Sequence, residues 1–257
     1  VKELTLALWQ TAYAPTTAQA LLRLDAVAEQ ARAQGADLLI CPEMSLTGYA
    51  IGPERVAALA EPTDGGLARA VASIACRHRL GVVYGYPEWH PSGERPYNAA
   101  QFIGANGHRL AHYRKTHLYG DMDRAQFSPG GTASQAFRWR GWRLGLLICF
   151  DVEFSEAVAD LARQGADAVL VPTANMREFD EVPLLMVPQR ARDHRVFVAY
   201  ANACGQEGSV HYGGLSTVAN PEGRSLVLAG RRGSLQIVKL QASASLRSKR
   251  RPGLASG

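Results

Sequence analysis

The 257-residue sequence predicts an α/β fold in which parallel and antiparallel strands share sheets. Two observations carry that expectation. Apolar strand segments alternate with amphipathic helical ones near the N-terminus and again after residue 142, the order expected of parallel strands joined by crossover helices. Between and after those runs, strand segments follow one another across short turns, as antiparallel pairs do.

In residues 3–10, Leu4, Leu6 and Leu8 fall on one side of an extended segment and Thr5, Ala7 and Trp9 on the other, so both faces are covered and the strand is interior. From 17 to 34, Leu21, Leu24, Ala28 and Ala31 recur at three- and four-residue intervals, and Gly35 stands where a left-handed cap closes a helix. ADLLICPE (36–43) is a short buried strand, and a helix over 66–79 leads to the strand LGVVYGYPE. YNAAQFIG and RLAHYRK pair as a hairpin across residues 105–108. WRLGLLICF (142–150) is a strand, FSEAVADLARQG a helix closed by Gly165, and ADAVLVPTA a strand. EVPLLMVPQRARDH is a helix with its prolines early or at a kink, and RVFVAYANA is a strand. GLSTVANPEGRSLVLAG, turning at PEG, and SLQIVKL finish with antiparallel strands. No repeat and no linker divides these elements, so one domain over 1–240 is expected, followed by a polar basic tail over 241–257.

Hydrophobic residues make up 47% and charged residues 20% of the chain, with 25 Gly and 13 Pro, which excludes the disordered, collagen-like and coiled-coil classes. Net charge is +5, but Arg247, Lys249, Arg250 and Arg251 supply four of those charges, leaving about +1 elsewhere. The basic balance belongs to the tail, so no nucleic-acid partner is expected. Cys41, Cys76, Cys149 and Cys204 stand far apart, without the paired spacing of a zinc site or redox dithiol. The opening VKELTLALWQTAYAP has no basic start followed by a long apolar stretch. No run approaches the ~18 apolar residues of a membrane span. These features lead to the expectation of a cytoplasmic protein with reduced thiols and no membrane partner. There is no Gly-rich phosphate loop and no paired cysteine spacing, so neither a metal nor an organic cofactor is expected.

Three residues stand where chemistry is found in such folds. Cys149 follows the apolar run Leu144, Leu146, Leu147, Ile148 and precedes a helix, and a thiol at such a turn meets backbone N–H groups and the positive helix end, both favouring thiolate and oxyanion. A Cys after an apolar run is equally an ordinary small core residue, and the local sequence leaves both readings open. Glu43 ends ADLLICPE, where lost hydration raises a carboxyl pKa and suits it to proton transfer; the alternative is a wet Glu at a strand terminus. Lys115 lies in HYRKTHLYGDMD, a mixture of charged, aromatic and histidine residues of the kind that lines sites, or else is a solvated lysine beside Arg114.

Taken together, CPEMSLTGY around Glu43, YRKTHLYG around Lys115 and LLICFDVEFSE around Cys149 resemble, in order and spacing, the nitrilase superfamily of carbon–nitrogen hydrolases. The likeness runs from residue 3 to about residue 240, with YNAAQFIGANGHRLAHYRK, VPTANM and VPQRARDHRVFVAYANACGQE continuing it. The resemblance implies a four-layer α-β-β-α sandwich, a Glu43–Lys115–Cys149 triad, no metal or cofactor, and a homodimer or larger homo-oligomer. It further implies that Glu43 activates the Cys149 thiol, with Lys115 and the backbone N–H after Cys149 holding the oxyanion. The family's second glutamate is matched by Asp123, shorter and reached through a loop one residue longer. Tyr49, Phe150, Asn175 and Met176 fall where substrate contacts are implied. Ser155 stands before Glu156 where the family commonly has Pro, which reads as a change of helix N-cap. Arg190 and Asp193, three apart on one helix, read as a structural ion pair, and His117 as a residue that orients the lysine loop. Phe150-Asp151 after the cysteine resembles the amidase side of the family, so hydrolysis of a small linear amide is expected. An N-carbamoyl-amine hydrolase or nitrilase on the same triad, and a catalytically silent binding protein of the same fold, are the alternatives.

Overall fold

A computed structural model of the chain describes residues 2–242. The first half holds β1 (Lys2–Gln10), α1 (Thr17–Ala33), β2 (Leu38–Ile40), α2 (Pro53–Ala58), α3 (Gly66–His78), β3 (Gly81–Glu88), β4 (Tyr97–Ile103), β5 (Arg109–Arg114) and α4 (Gly120–Gln126). The second half holds β6 (Phe137–Trp139), β7 (Trp142–Leu146), α5 (Ser155–Arg163), β8 (Ala168–Thr173), α6 (Val187–His194) and β9 (Phe197–Asn202). A hairpin, β10 (Cys204–Glu207) and β11 (Val210–Gly213), is followed by β12 (Thr217–Ala219), β13 (Ser225–Leu228) and β14 (Ser234–Ala242).

Two six-stranded mixed sheets result, in the orders β14-β1-β2-β3-β4-β5 and β13-β12-β9-β8-β7-β6. The alternation along β1 decides how they stack. Leu4, Leu6 and Leu8 enter the core between the sheets with Leu144, Leu146 and Leu170. Ala7 and Trp9, one pleat away, pack outward with Leu24, Val27, Val71 and Ile74 of α1 and α3. Val158 and Leu161 of α5 and Val187 and Ala191 of α6 join the apolar core from the second sheet's side. The layers are therefore α1/α3, first sheet, second sheet, α5/α6, the four-layer α-β-β-α sandwich that the sequence led us to expect. Gly35 and Gly165 close α1 and α5 at φ of 82° and 83°.

The departures are local. The strand expected over 142–150 stops at Leu146, because the chain turns at Ile148 and enters a tight turn, Cys149–Glu153. The helix expected from Glu181 opens with a wide turn, Val182–Met186, before α6, a geometry that accommodates Pro183 and Pro188, which lack backbone N–H groups. Ser155 is not the N-cap of α5: Phe154 holds that position without a side-chain cap, and Ser155 Oγ lies 2.9 Å from His194 Nε2. The short elements α2, α4, β6 and the β10–β11 hairpin have no periodic apolar pattern long enough to announce them. β14 extends to Ala242, paired with Lys2, two residues past the expected end of the domain, and the basic residues of the tail lie outside the described residues. Among the described residues no helix is long and apolar enough to cross a membrane.

Candidate active site

The carboxyl ends of β2, β5, β7 and β8 converge on one buried cluster, as expected for chemistry in an α/β sheet. Glu43 follows β2 in a segment that lies so close to β3 that a Cβ on Gly85 would stand 2.6 Å from Met44 N. Tyr13 donates to the Glu43 carbonyl at 2.8 Å, and Glu43 N–H donates to Thr173 O at 3.3 Å. Its side chain is fully buried. Oε1 accepts from Lys115 Nζ at 2.9 Å and Asn98 Nδ2 at 2.6 Å, whereas Oε2 has no hydrogen-bond partner among the described residues.

Lys115 leaves the end of β5 with its backbone N–H on Asn98 O at 2.8 Å. Its ammonium, also fully buried, reaches Asp123 Oδ2 at 2.7 Å as well as Glu43. Asp123, on α4, accepts from Tyr49 OH at 2.5 Å and from Tyr119 N–H at 2.9 Å. One cation thus faces two buried carboxylates. Burial raises the pKa of Glu43 and the Asp123 charge adds to it, against the opposing pull of Lys115. Burial alone would lower Lys115, but Asp123 and Glu43 together hold it above the ordinary lysine value, so the ammonium stays charged.

Cys149 adopts φ of 46°, a left-handed conformation that costs a non-glycine residue roughly 1–3 kcal/mol and that the surrounding structure must impose. Asp151 supplies that constraint. Its carboxylate accepts from Ile148 N–H at 3.1 Å and Tyr113 OH at 3.0 Å, and from Thr116 Oγ1 at 3.1 Å and His117 N–H at 3.0 Å, so the cysteine turn is tied to the loop after Lys115. His117 Nδ1 also meets Asp151 at 2.8 Å, while its ring stacks on Phe154. Arg190 makes no ion pair with Asp193. It donates instead to Val152 O at 3.1 Å and to Glu153 O, and Asp193 faces Arg192, because the open carbonyls of the cysteine turn lie within reach of its guanidinium. Burial and the nearby Glu43 charge raise the Cys149 thiol pKa, with Lys115 pulling the other way.

A small cavity of about 60 Å³ opens onto the cysteine and is lined by Cys149, Tyr49, Phe150, Asn175 and Met176, together with Tyr119, Glu153, Ala174 and Phe179. All the site residues expected from sequence therefore fall in the acid–lysine cluster, on the cavity wall, or in both. Asn98, Tyr119, Glu153 and Phe179 were not singled out by sequence. An amide in the apolar strand YNAAQFIG was a usable signal for Asn98, and Glu153 stood inside the cysteine motif without distinguishing itself from a solvated acid.

Residues 5–249 match the family model for carbon–nitrogen hydrolases. This chain belongs to that family. A hydrolase from Pseudomonas protegens encoded in the pqqF 5' region is 46% identical over 90% of this chain and 80% of its own. An (R)-stereoselective amidase from a Pseudomonas species is 36% identical over 79% of this chain and 73% of its own. Among solved structures, a double mutant of the amidase from Nesterenkonia sp. AN1 in complex with acrylamide aligns at a TM-score of 0.83 with 33% identity, over 95% of this chain and 93% of that one. Variants of the same amidase are known, one with its cysteine replaced by alanine and butyramide bound, another with a glutamate replaced by glutamine and the acetamide moiety of fluoroacetamide added covalently at its active-site cysteine. The protein is thus a carbon–nitrogen hydrolase of the nitrilase superfamily, on its amidase side, and a small molecule is the substrate class that goes with such an enzyme.

Proposed function

We propose that this carbon–nitrogen hydrolase converts a small linear amide to a carboxylic acid and ammonia through a thioester on Cys149. The observation that carries the reading is the Glu43 carboxylate, with Oε1 held by Lys115 and Asn98 and Oε2 left without a partner among the described residues, close enough for its charge to act on the Cys149 thiol. Glu43 Oε2 takes the thiol proton as Sγ attacks the amide carbon, and the C=O electron pair moves onto oxygen. Lys115, with one N–H left beyond those on Glu43 and Asp123, and the Phe150 backbone N–H stabilise that oxyanion, at roughly 3–4 kcal/mol per donor in comparable hydrolases. The oxyanion collapses, the C–N bond breaks, and Glu43 returns its proton to the departing ammonia. Glu43 then deprotonates a water that attacks the thioester carbon. The C–S bond breaks and the thiolate recovers the proton. Asp123 acts through Lys115, holding it in place and charged. The addition of an acetamide moiety at the cysteine of a Nesterenkonia amidase variant supports a nucleophilic role for Cys149 here. Mass spectrometry after incubation with a slow amide is expected to show an acyl adduct on Cys149, lost in Cys149→Ala; turnover by that variant would overturn the mechanism.

We further infer a catalytic unit carried by residues 1–240, in the reducing cytoplasm, where the thiol that attacks stays available. A homo-oligomer is part of the same reading, supported by Leu184 and Leu185, 42% and 67% exposed on the wide turn before α6. Sedimentation of the native chain and of Leu185→Glu tests it, with dissociation expected in the variant.

A further inference from the structure

Along the wall of the cysteine cavity, two polar side chains are already engaged. Tyr49 OH donates to Asp123, and the Asn175 side chain donates to Phe179 O at 2.9 Å. Glu153, on the same wall, is a half-buried carboxylate with no hydrogen-bond or ion-pair partner among the described residues. The nearby cation, Arg190, spends its guanidinium on the carbonyls of Val152 and Glu153. Three aromatic rings surround the same space: Tyr119 meets Phe150 edge-on at 5.3 Å and Phe179 at 5.6 Å. Glu178 and Glu181 add negative charge at this side, against Arg177, Arg190 and the distant Lys115.

An unpaired carboxylate among aromatic faces is a receptor for an organic cation, which gains a charge-assisted hydrogen bond from the one and cation–π attraction from the other. We infer that the substrate of this cavity is a short amide whose acyl chain carries a protonated amine, the ammonium seated between Glu153 and the rings of Tyr119, Phe150 and Phe179. This rests on the amidase reading above and deepens it by naming the substrate class. Spacing limits the chain. Cys149 and Glu153 begin and end one tight turn, so at about 2 Å of rise per residue their Cα atoms stand roughly 8 Å apart. One or two methylenes between carbonyl and amine span what remains after the thioester and the ion pair are placed. Burial and the Glu181 charge raise the Glu153 pKa against the opposing pull of Arg190 and Lys115, so burial outweighs the cations already near it.

The test compares β-alaninamide with butyramide, which has the same length and a methyl in place of the ammonium. At pH 7, kcat/KM from ammonia release is expected to favour β-alaninamide by at least ~10-fold, and that ratio is expected to fall at least ~10-fold in Glu153→Gln and to recover in part in Glu153→Asp. A wild-type enzyme that hydrolyses butyramide equally well, or a ratio that Glu153→Gln leaves in place, overturns the inference and leaves the amidase reading standing. If neither amide yields ammonia, the amidase reading fails, and calorimetry on Cys149→Ala decides the inference separately. Tighter binding of β-alaninamide than of butyramide, lost when Glu153→Gln is added, supports it, and equal binding or none overturns it.

Discussion

Glu43 and Glu88 are both glutamates near the carboxyl ends of neighbouring strands of one sheet, and both are buried, yet they are built to opposite ends. Glu88, 2% exposed, accepts from Arg114 Nε at 3.0 Å and from Tyr86 OH at 3.2 Å, and also contacts His112. Burial would raise its pKa, but the hydrogen bonds from His112 and Arg114 bring it below the ordinary carboxylate value. Among the described residues Glu43 shares the Lys115 cation with Asp123 and has an oxygen without a hydrogen-bond partner, and its pKa is raised. A buried carboxylate with both oxygens satisfied holds strands together, whereas one left short of partners is poised to move a proton.

The largest break in that comparison is expected at Glu43. Glu43→Gln keeps the shape and the hydrogen bond from Lys115 but cannot take a proton, so kcat is expected to fall ~100- to 10,000-fold in a protein with an unchanged circular dichroism spectrum. Because the base must be ionised in the free enzyme and its pKa is raised, the acid limb of wild-type kcat/KM is expected above the ordinary carboxylate range. Lys115→Ala is expected to cost activity and also stability, since it strands the buried Asp123 charge.

Glu88→Gln is expected to show the reverse, with near-normal kcat and a stability loss of about 1–3 kcal/mol in urea denaturation. The signs with pH differ as well. The lowered pKa of Glu88 contributes stability present above the unfolded-state value and lost as pH falls through the folded one. The raised pKa of Glu43 works the other way, lowering stability as pH rises from its unfolded toward its folded value. Melting curves across pH for the two variants measure this: Glu43→Gln is expected to gain relative stability toward neutral pH, and Glu88→Gln to lose it.

A smaller effect separates substrates. An amide needs one water after ammonia leaves, whereas a nitrile first forms a thioimidate and needs two, and the single Glu43 Oε2 serves the shorter sequence. For an amide and nitrile of one carbon skeleton, kcat/KM is expected to favour the amide by at least ~10-fold, about 1.4 kcal/mol in barrier. A preference for the nitrile would change the substrate class and leave the cluster's roles intact. Smallest of all, removing the chain after Ala242, which keeps the full β1–β14 pairing, is expected to leave kcat within a few-fold.

Much of this was legible in the primary structure. The alternation of Leu4, Leu6 and Leu8 with Ala7 and Trp9 reflects a period of two that only a strand between two covered faces satisfies, and the helical spacing before Gly35 is as direct. The motifs around Glu43, Lys115 and Cys149 marked the three residues by resemblance, and local chemistry by itself left each with an ordinary alternative.

What only the tertiary structure decided are the partners, because hydrogen bonds and ion pairs follow distance in space. Asn98 reaches Glu43 across 55 residues, and Tyr49 reaches Asp123 across 74. Spacing of three on a helix suggested that Arg190 meets Asp193, but the guanidinium found the carbonyls of the cysteine turn 37 and 38 residues away. Glu153 reads as one more acid in the sequence, and becomes distinct only where folding places it on the cavity wall without a hydrogen-bond or ion-pair partner among the described residues. Strand and helix patterns repeat every two to four residues and so are written locally, whereas the satisfaction of a buried charge depends on which distant side chains the packed layers bring to it.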